Sequence, residues 1–412
     1  MSTTAETATS GTGEKAQGLN IGTEAVEARI TDESMAEARA LIGAKLRPEQ
    51  FLRDATVDTI TNFSNGIGEL NPLFRDVEYA RWTRFGGLIA HPCYPWVHHW
   101  PARSNWGFPG VHGFGVGTDV EFFRHVRAGD RINCWNRVVD VKEKQSRFSG
   151  RMAMQYVESN FTNQRDEVLC KVLGWTARHE RRASREAGKY NEVKTHHYTD
   201  AEMRRIDDIV LNEQEHIRGS RTRYWDDVSE GDELSEIARG PLSLSDTMAW
   251  LVACGRARAH GVLLREAAKH PNHYIRNAES GGGLEYTGIG HHREDFAKQV
   301  GVPGLYDYLP QRVAWLCTLV TNWMGDDAVL KRLRMEARLF NIQGDTQFCR
   351  GKVIRKYVKD GCALVDLEVK CVNQREEVTT PGMATVMLPS RDVNTKLPFD
   401  GTAVDLELPI MR

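Results

Sequence analysis

An internal repeat constrains this chain more than any other feature. The hexapeptide Asn163-Gln164-Arg165-Asp166-Glu167-Val168 returns 210 residues later as Asn373-Gln374-Arg375-Glu376-Glu377-Val378, and both copies follow strand-like runs, MQYVESNFT and VDLEVKCV. Upstream, Phe122-Phe123-Arg124 with Gly129-Asp130 corresponds to Arg338-Leu339-Phe340 with Gly344-Asp345. Ala80, Gly87, Leu88 and Asn105-Trp106 reappear 217 residues on as Ala297, Gly304, Leu305 and Asn322-Trp323. Asp58-Thr59 pairs with Asp246-Thr247 at 188 residues, so the second copy carries 29 extra residues between about Gly255 and Gly290. Collinear order with small drift is what duplication followed by loop insertion leaves. At 412 residues the chain also exceeds one ordinary core, and two modules divide it naturally.

Each copy begins with a short helical pattern, TVDTITNF and SLSDTMAWL, and passes through glycine-rich turns toward a longer helix. In the second copy Val313, Leu316, Cys317, Val320 and Met324 recur at three- and four-residue spacing, which predicts a helix from about Leu305 to Trp323 with Pro310 in its opening turns. In the first copy Pro92 and Pro95 interrupt the equivalent stretch, which predicts a shorter helix starting near Trp96. Four strand-like runs then follow in each copy, with turns at Gly129-Asp130, Asn163-Gln164, Gly344-Asp345 and Asp360-Gly361. The fold class is therefore α+β, an antiparallel sheet wrapping its apolar face around a long helix. The expected organisation is a disordered or helical lead-in over 1–44, modules over 45–180 and 224–392, a charged linker over 181–223 and a tail over 393–412. In the linker Thr199 and Glu202 have capping-box spacing, so part of it is expected to be a solvated spacer helix.

Charge and composition exclude several functions. With 54 basic against 56 acidic side chains, no basic field steers the chain toward nucleic acid. The longest apolar stretches, such as Val313 to Val320, fall far short of a bilayer crossing. Residues 1–18 lack a basic region followed by an apolar one, and the eight cysteines form no CxxC pair, so a cytoplasmic location with reduced thiols is expected. His91, His98, His99 and His112 suggest a metal, but Pro92 and Pro95 spoil helical spacing and no acidic or cysteine ligand set accompanies them. Gly281-Gly282-Gly283 and the glycines between Gly107 and Gly117 lack a Walker lysine and a strand–GxGxxG–helix setting. No metal and no cofactor are expected.

The segment from Asn65 to Pro92, NGIGELNPLFRDVEYARWTRFGGLIAHP, resembles the MaoC-like acyl-CoA dehydratases, the (R)-specific enoyl-CoA hydratases of the hot-dog fold. Their hallmark is approximately GDxNPxHxD followed by an FGxPIAHG-like turn. The likeness covers most of 45–180 and 224–390, and the tandem arrangement resembles the family's double hot-dog members. It implies a double hot-dog fold, an acyl-CoA thioester as substrate and partner, and hydration or dehydration of that thioester. Gly68, Asn71, Pro72 and Asp76 match, Glu69 stands where the family has aspartate, and Phe74 replaces the histidine. A phenyl ring relays no proton, so the first copy is expected to shape an acyl pocket. Carried forward by the repeat, Phe74 falls on His291, and GHHREDFAKQVGVPGLYDY reads like the family's HxDxxFARxxGFGxPIAHG with His291, Phe296, Ala297 and Gly304 aligned.

Such chemistry requires a base for water, an acid for Cα and donors for the enolate oxygen. His291 is the expected base, against the alternative of a surface histidine in a glycine-rich loop. Because Tyr286 stands at the position equivalent to Glu69, the neighbouring Glu285 is the first candidate for the acid, against a plain loop carboxylate. Asp307, Tyr308 and Arg312 open the long helix, where they orient substrate, or Asp307 is itself the acid, or it only caps the helix. Backbone N–H groups around Tyr306 to Leu309 are expected to polarise the thioester carbonyl. Glu69, Asn71 and His91 are read as a hydrogen-bonded framework left on the pocket wall. A non-catalytic acyl-thioester binder and a thioesterase stay open as alternatives. A pair of modules in one chain already forms a pseudo-dimer, and a homo-oligomer of it is the further partner considered.

Overall fold

The runs of β-branched and aromatic residues become strands, and most of them join one sheet. The computed structural model describes residues 21–25, 27–100, 107–146, 150–187 and 193–393. The first copy supplies β1 (Lys45–Leu46), β2 (His112–Phe122), β3 (Asn133–Ser146), β4 (Gly150–Thr162) and β5 (Val168–His179). The second supplies β6 (Glu233–Arg239), the separate hairpin β7 (Tyr274–Asn277) and β8 (Gly283–Tyr286), then β9 (Val329–Glu336), β10 (Gln347–Lys359), β11 (Cys362–Asn373) and β12 (Val378–Met387). The sheet order is β1-β3-β4-β5-β2-β9-β12-β11-β10-β6, two five-stranded halves that mirror each other across the antiparallel β2–β9 pair. Arg332 on β9 grips Asp119 on β2 through both carboxylate oxygens at that seam, at 2.8 and 2.7 Å.

The repeated hexapeptide builds the same turn twice. Asn163 and Asn373 each accept from the backbone N–H two residues on, both at 2.9 Å, and each donates its amide to the following glutamate, Glu167 or Glu377. Asp166 and Glu376 take φ values of 58° and 57°. Gln164 and Gln374 reach back to Asp130 and Asp345, the aspartates of the two Gly-Asp turns. An Asx-type turn needs this residue set, and its recurrence at equivalent places is what duplication requires.

The helices Val57–Ile67 and Leu244–Ala253 start with matching capping boxes, Thr56 with Thr59 and Ser243 with Asp246. They cross at Gly66, where an added Cβ would lie 2.3 Å from the Ala253 Cβ, so only glycine permits the approach. The long helix of the second copy spans Leu309–Met324 and is buried all round from Gln311 to Met324. Its start lies four residues later than expected because Leu305 to Tyr308 are extended and Tyr306 bridges Ile342. It packs on β6, β9, β10, β11, β12 and β2. No such helix forms in the first copy among the described residues. Tyr94–Val97 makes a single 3₁₀ turn, and 101–106 lie outside the described residues. Phe63, Trp96, Trp100, Trp250 and Leu316 share one core contributed by both copies.

Parts of the lead-in and linker are helical and pack against the modules. Helix Asp32–Ala40 buries Met35 and Ala38 against Val138, Val141 and Ala153 of the first-copy sheet, while 1–20 and the tail 394–412 lie outside the described residues. In the linker Thr199 and Glu202 cap Asp200–Leu211 reciprocally, but the chain there is no mere spacer: Ile206 and Glu213 are buried. The insertion forms a compact unit of its own, Arg258–Thr287 with part of the N-terminal segment. Within it helix His260–Lys269 covers the β7–β8 hairpin, and Ala267, Tyr274 and Leu284 pack together with Ile21.

All eight cysteines are free thiols, and seven are buried. Burial pushes the thiol pKa up at Cys93, Cys170, Cys254 and Cys371. Thiolate is the reactive form, and burial raises the thiol pKa of the less covered Cys134 as well, so native protein is expected to show no fast thiol toward a disulfide reagent. Fast thiols before denaturant is added would contradict this packing.

Candidate active site

The first copy builds a buried polar cluster beside a cavity. Helix Val57–Ile67 ends on Gly68 in the left-handed region, φ 70°, and this reversal points the chain inward at Glu69. Asn71 then caps the Pro72–Phe74 turn and Asp76 caps Val77–Arg81, so these family-like residues each hold a backbone N–H. Glu69 is fully buried: its Oε1 accepts from Asn71 N at 2.8 Å and its Oε2 from Thr318 Oγ1 at 2.6 Å. His91 Nε2 lies 3.7 Å from Glu69 Oε2 and 3.4 Å from Thr318 Oγ1. Cys93 N donates to His91 Nδ1 at 3.2 Å, which assigns the proton of the neutral ring to Nε2, facing Thr318 and Glu69.

Burial sets the charges here. It pushes the Glu69 carboxyl above its usual range, against the pull of the Thr318 and Asn71 hydrogen bonds. His91 is pushed down to about 3, by burial first and then by the nearby Arg239 cation, so its ring is neutral at physiological pH. Arg239 donates to Gly68 O at 2.9 Å and forms a two-point ion pair with buried Glu213 of the linker. The carboxylate thus comes from one copy, the hydroxyl beside it from the other, and the screening pair from the linker and β6.

His91, Asn71 and Phe74 line a narrow cavity of about 30 Å³. The walls are Phe85, Phe122, Leu169, Met324 and Leu330 with few polar groups, among them Arg124, His125, Thr321 and Asp326, an apolar slot between the two copies. Phe74 stands edge-on to His91, ring centroids 5.6 Å apart.

In the second copy the same two positions exchange chemistry. His291 occupies the place of Phe74, and Tyr308, 217 residues after His91, replaces that histidine. The His291 and Tyr308 rings stack at 3.7 Å. His291 Nδ1 bonds Tyr306 O at 2.9 Å, leaving Nε2 as the lone-pair nitrogen, and burial lowers its pKa to about 3. The ring is partly buried and is not part of the cavity wall described above. His292 Nε2 lies 2.9 Å from the Tyr308 hydroxyl.

Other expected site residues are placed differently. Asp307 and Arg312 do not face that cavity: they form a buried two-point ion pair at 2.7 and 2.8 Å. Arg312 also donates to Leu339 O and Thr380, and Asn341 donates to Asp307. Nor do the N–H groups at the helix start stand ready for a carbonyl, since Asp307 N donates to Asn341 O and Tyr308 N to Gln311 Oε1. Glu285 lies on β8 in the smaller unit, where Asn277 Nδ2 donates to its Oε1 at 2.9 Å. Among the described residues no group of three or more histidine, cysteine or acidic side chains is placed to hold a metal. His99, for instance, sits on Glu49 O and Asn136.

The sheet and helix arrangement matches solved structures along most of the chain. A MaoC-like dehydratase superposes with a TM-score of 0.59 at 15% identity, covering 86% of this chain and 99% of its own. A conserved hypothetical protein from Mycobacterium tuberculosis with a double hot-dog fold gives 0.50 at 11% identity, covering 84% and 96%. The chain has the double hot-dog fold of the MaoC-like dehydratases. A MaoC domain protein from Chloroflexus aurantiacus J-10-fl gives 0.51 at 13% identity, covering 85% of this double hot-dog and 96% of itself. Residues 40–172, the first module, match the family model of the FAS1-like dehydratase domain region. No curated protein matches the sequence. Among the described residues no helix of this double hot-dog is long and apolar enough to cross a membrane.

Thr318, Arg239 and Glu213 are cluster members that sequence reasoning did not single out. Thr318 had a signal: a hydroxyl within a helix apolar on nearly every side must find a buried partner.

Proposed function

We propose that this double hot-dog adds water to a 2-enoyl-CoA thioester, or removes it from the 3-hydroxyacyl-CoA, at the Glu69–His91–Thr318 cluster. The observation that carries the reading is a buried carboxylate within 3.7 Å of a histidine that lines an apolar cavity. In hydration the oxygen of water bonds to C3 while one of its protons leaves toward the carboxylate, and C2 receives a proton from the same group. The net change is H and OH across the double bond. A carboxyl that burial raises above its usual range is better able to return the proton it accepts. His91 Nε2–H faces Thr318 and Glu69 while its ring lines the cavity, and Thr318 and Asn71 fix the orientation of Glu69. Cytoplasmic location and a homo-oligomeric state remain part of this reading.

A second reading keeps the base at His291, acting with Glu285, and assigns Asp307, Tyr308 and Arg312 to the substrate. It is favoured by the lone pair on His291 Nε2, set by the Tyr306 carbonyl. The experiment is to follow the ultraviolet absorbance of a series of 2-enoyl-CoA thioesters with the full chain, together with free-thiol release. Loss of enoyl absorbance without thiol supports hydration. Thiol release indicates thioester hydrolysis, and ligand-induced stabilisation with no product indicates a binding protein.

A further inference from the structure

A second cleft lies on the other side of the central helix. Thr321 and Met324 line the acyl cavity, whereas Leu319, Asn322 and Trp323 line this cleft, and at 100° per residue the two sets occupy opposite faces. It measures about 220 Å³ and is lined mainly by polar groups. Arg223 is its central feature. The guanidinium stands 4.5 Å from the Trp323 ring centroid and donates through Nε to Trp323 O at 2.7 Å, so its plane is fixed. Its two terminal nitrogens make no hydrogen bond, and Arg223 forms no ion pair, among the described residues.

We propose that this cleft binds a small organic carboxylate that also carries hydroxyl or ammonium donors. A guanidinium held in one plane with both outer nitrogens unused presents the fork that a carboxylate satisfies at two points. Burial pushes Arg223 down to about 10, helped by the charges of Arg218 and Arg221 and opposed by Asp232, so the cleft sets cationic and anionic groups side by side. Acceptors line the same cleft: Asp232 and Glu233 at the start of β6, and Asn322, which donates to Glu213 while its Oδ1 is buried without a partner among the described residues. Acceptors of this kind select a ligand with donors of its own, and Ile237 and Leu319 supply the apolar floor for its carbon skeleton.

The test is calorimetric titration of the full chain with L-serine, lactate, acetate and inorganic phosphate. Serine and lactate are expected to bind saturably, with acetate about tenfold weaker for want of donors. Arg223→Gln should remove binding of all three carboxylates. Because Arg223 also holds the end of the helix, a second variant, Asp232→Ala with Glu233→Ala, should narrow the gap between acetate and the two donor-bearing carboxylates, with acetate itself bound no more weakly than before. Absence of saturable binding, equal affinity in Arg223→Gln, or phosphate binding tighter than every carboxylate would each overturn the proposal. Enoyl-CoA turnover does not enter this measurement, so it stands or falls separately from the hydratase reading.

Discussion

Glu69→Gln is expected to slow hydration of a responsive 2-enoyl-CoA by about 10²–10⁴-fold, the usual contribution of a positioned acid–base group. The amide keeps the shape of the side chain and can still accept from Asn71 N or Thr318, so the fold should survive. His91→Ala should reduce turnover by a similar order. His291→Ala should leave most of it, because that ring is not part of the cavity wall that His91 and Asn71 line. Thr318→Val tests positioning: it removes the 2.6 Å bond to Glu69, and with it one of the contacts that hold the carboxyl below the value burial alone would set. The pH–rate limb assigned to Glu69 should therefore move upward in Thr318→Val and vanish in Glu69→Gln. His91, lowered to about 3, contributes no limb in the neutral range. Full activity in Glu69→Gln beside a dead His291→Ala would transfer the centre to the second copy.

The duplication was readable because the turns that define it use residues with unambiguous jobs. An Asx turn needs its asparagine, and Asn163 and Asn373 keep theirs. Strand runs were readable from alternation, and β2 to β5 and β9 to β12 fall where the pattern put them, apart from ends. The register of the opening helices was read one residue off, since the caps equate Thr56 with Ser243 and therefore Thr59, not Asp58, with Asp246. Among the described residues the first-copy helix does not appear: Tyr94–Val97, with Pro95 inside it and Pro92 before it, makes a 3₁₀ turn, and 101–106 lie outside the described residues. The site was less legible because it is assembled across copies. No linear pattern ties Glu69 to Thr318, 249 residues away, or Arg239 to Glu213. His91 lines the same cavity as Phe74, and the proposed centre in the first copy rests on that imidazole. The repeat offered the clue, since the shift that carries Phe74 onto His291 also carries His91 onto Tyr308.

Removing either partner of the Asp307–Arg312 pair is expected to destabilise the fold by about 3–5 kcal/mol, because it strands a charge in the interior. Both side chains are at least 97% buried, and their two-point contact is reinforced by Asn341, Leu339 O and Thr380. The pair pins the extended residues before the central helix to that helix and to the turn after β9. Asp307→Asn should thus lower the urea midpoint strongly with little change in slope, as should Arg312→Met. Replacing both together, Asp307→Leu with Arg312→Met, should recover much of the loss, since a buried ion pair is worth little against apolar groups of similar volume. The same variants separate structure from substrate binding. If the pair only braces the helix, the double variant at a temperature where it is folded should show a KM close to that of the parent. A double variant that is stable yet has a KM raised tenfold or more would mean that Asp307 or Arg312 reaches the substrate, and the second copy would then own part of the active site.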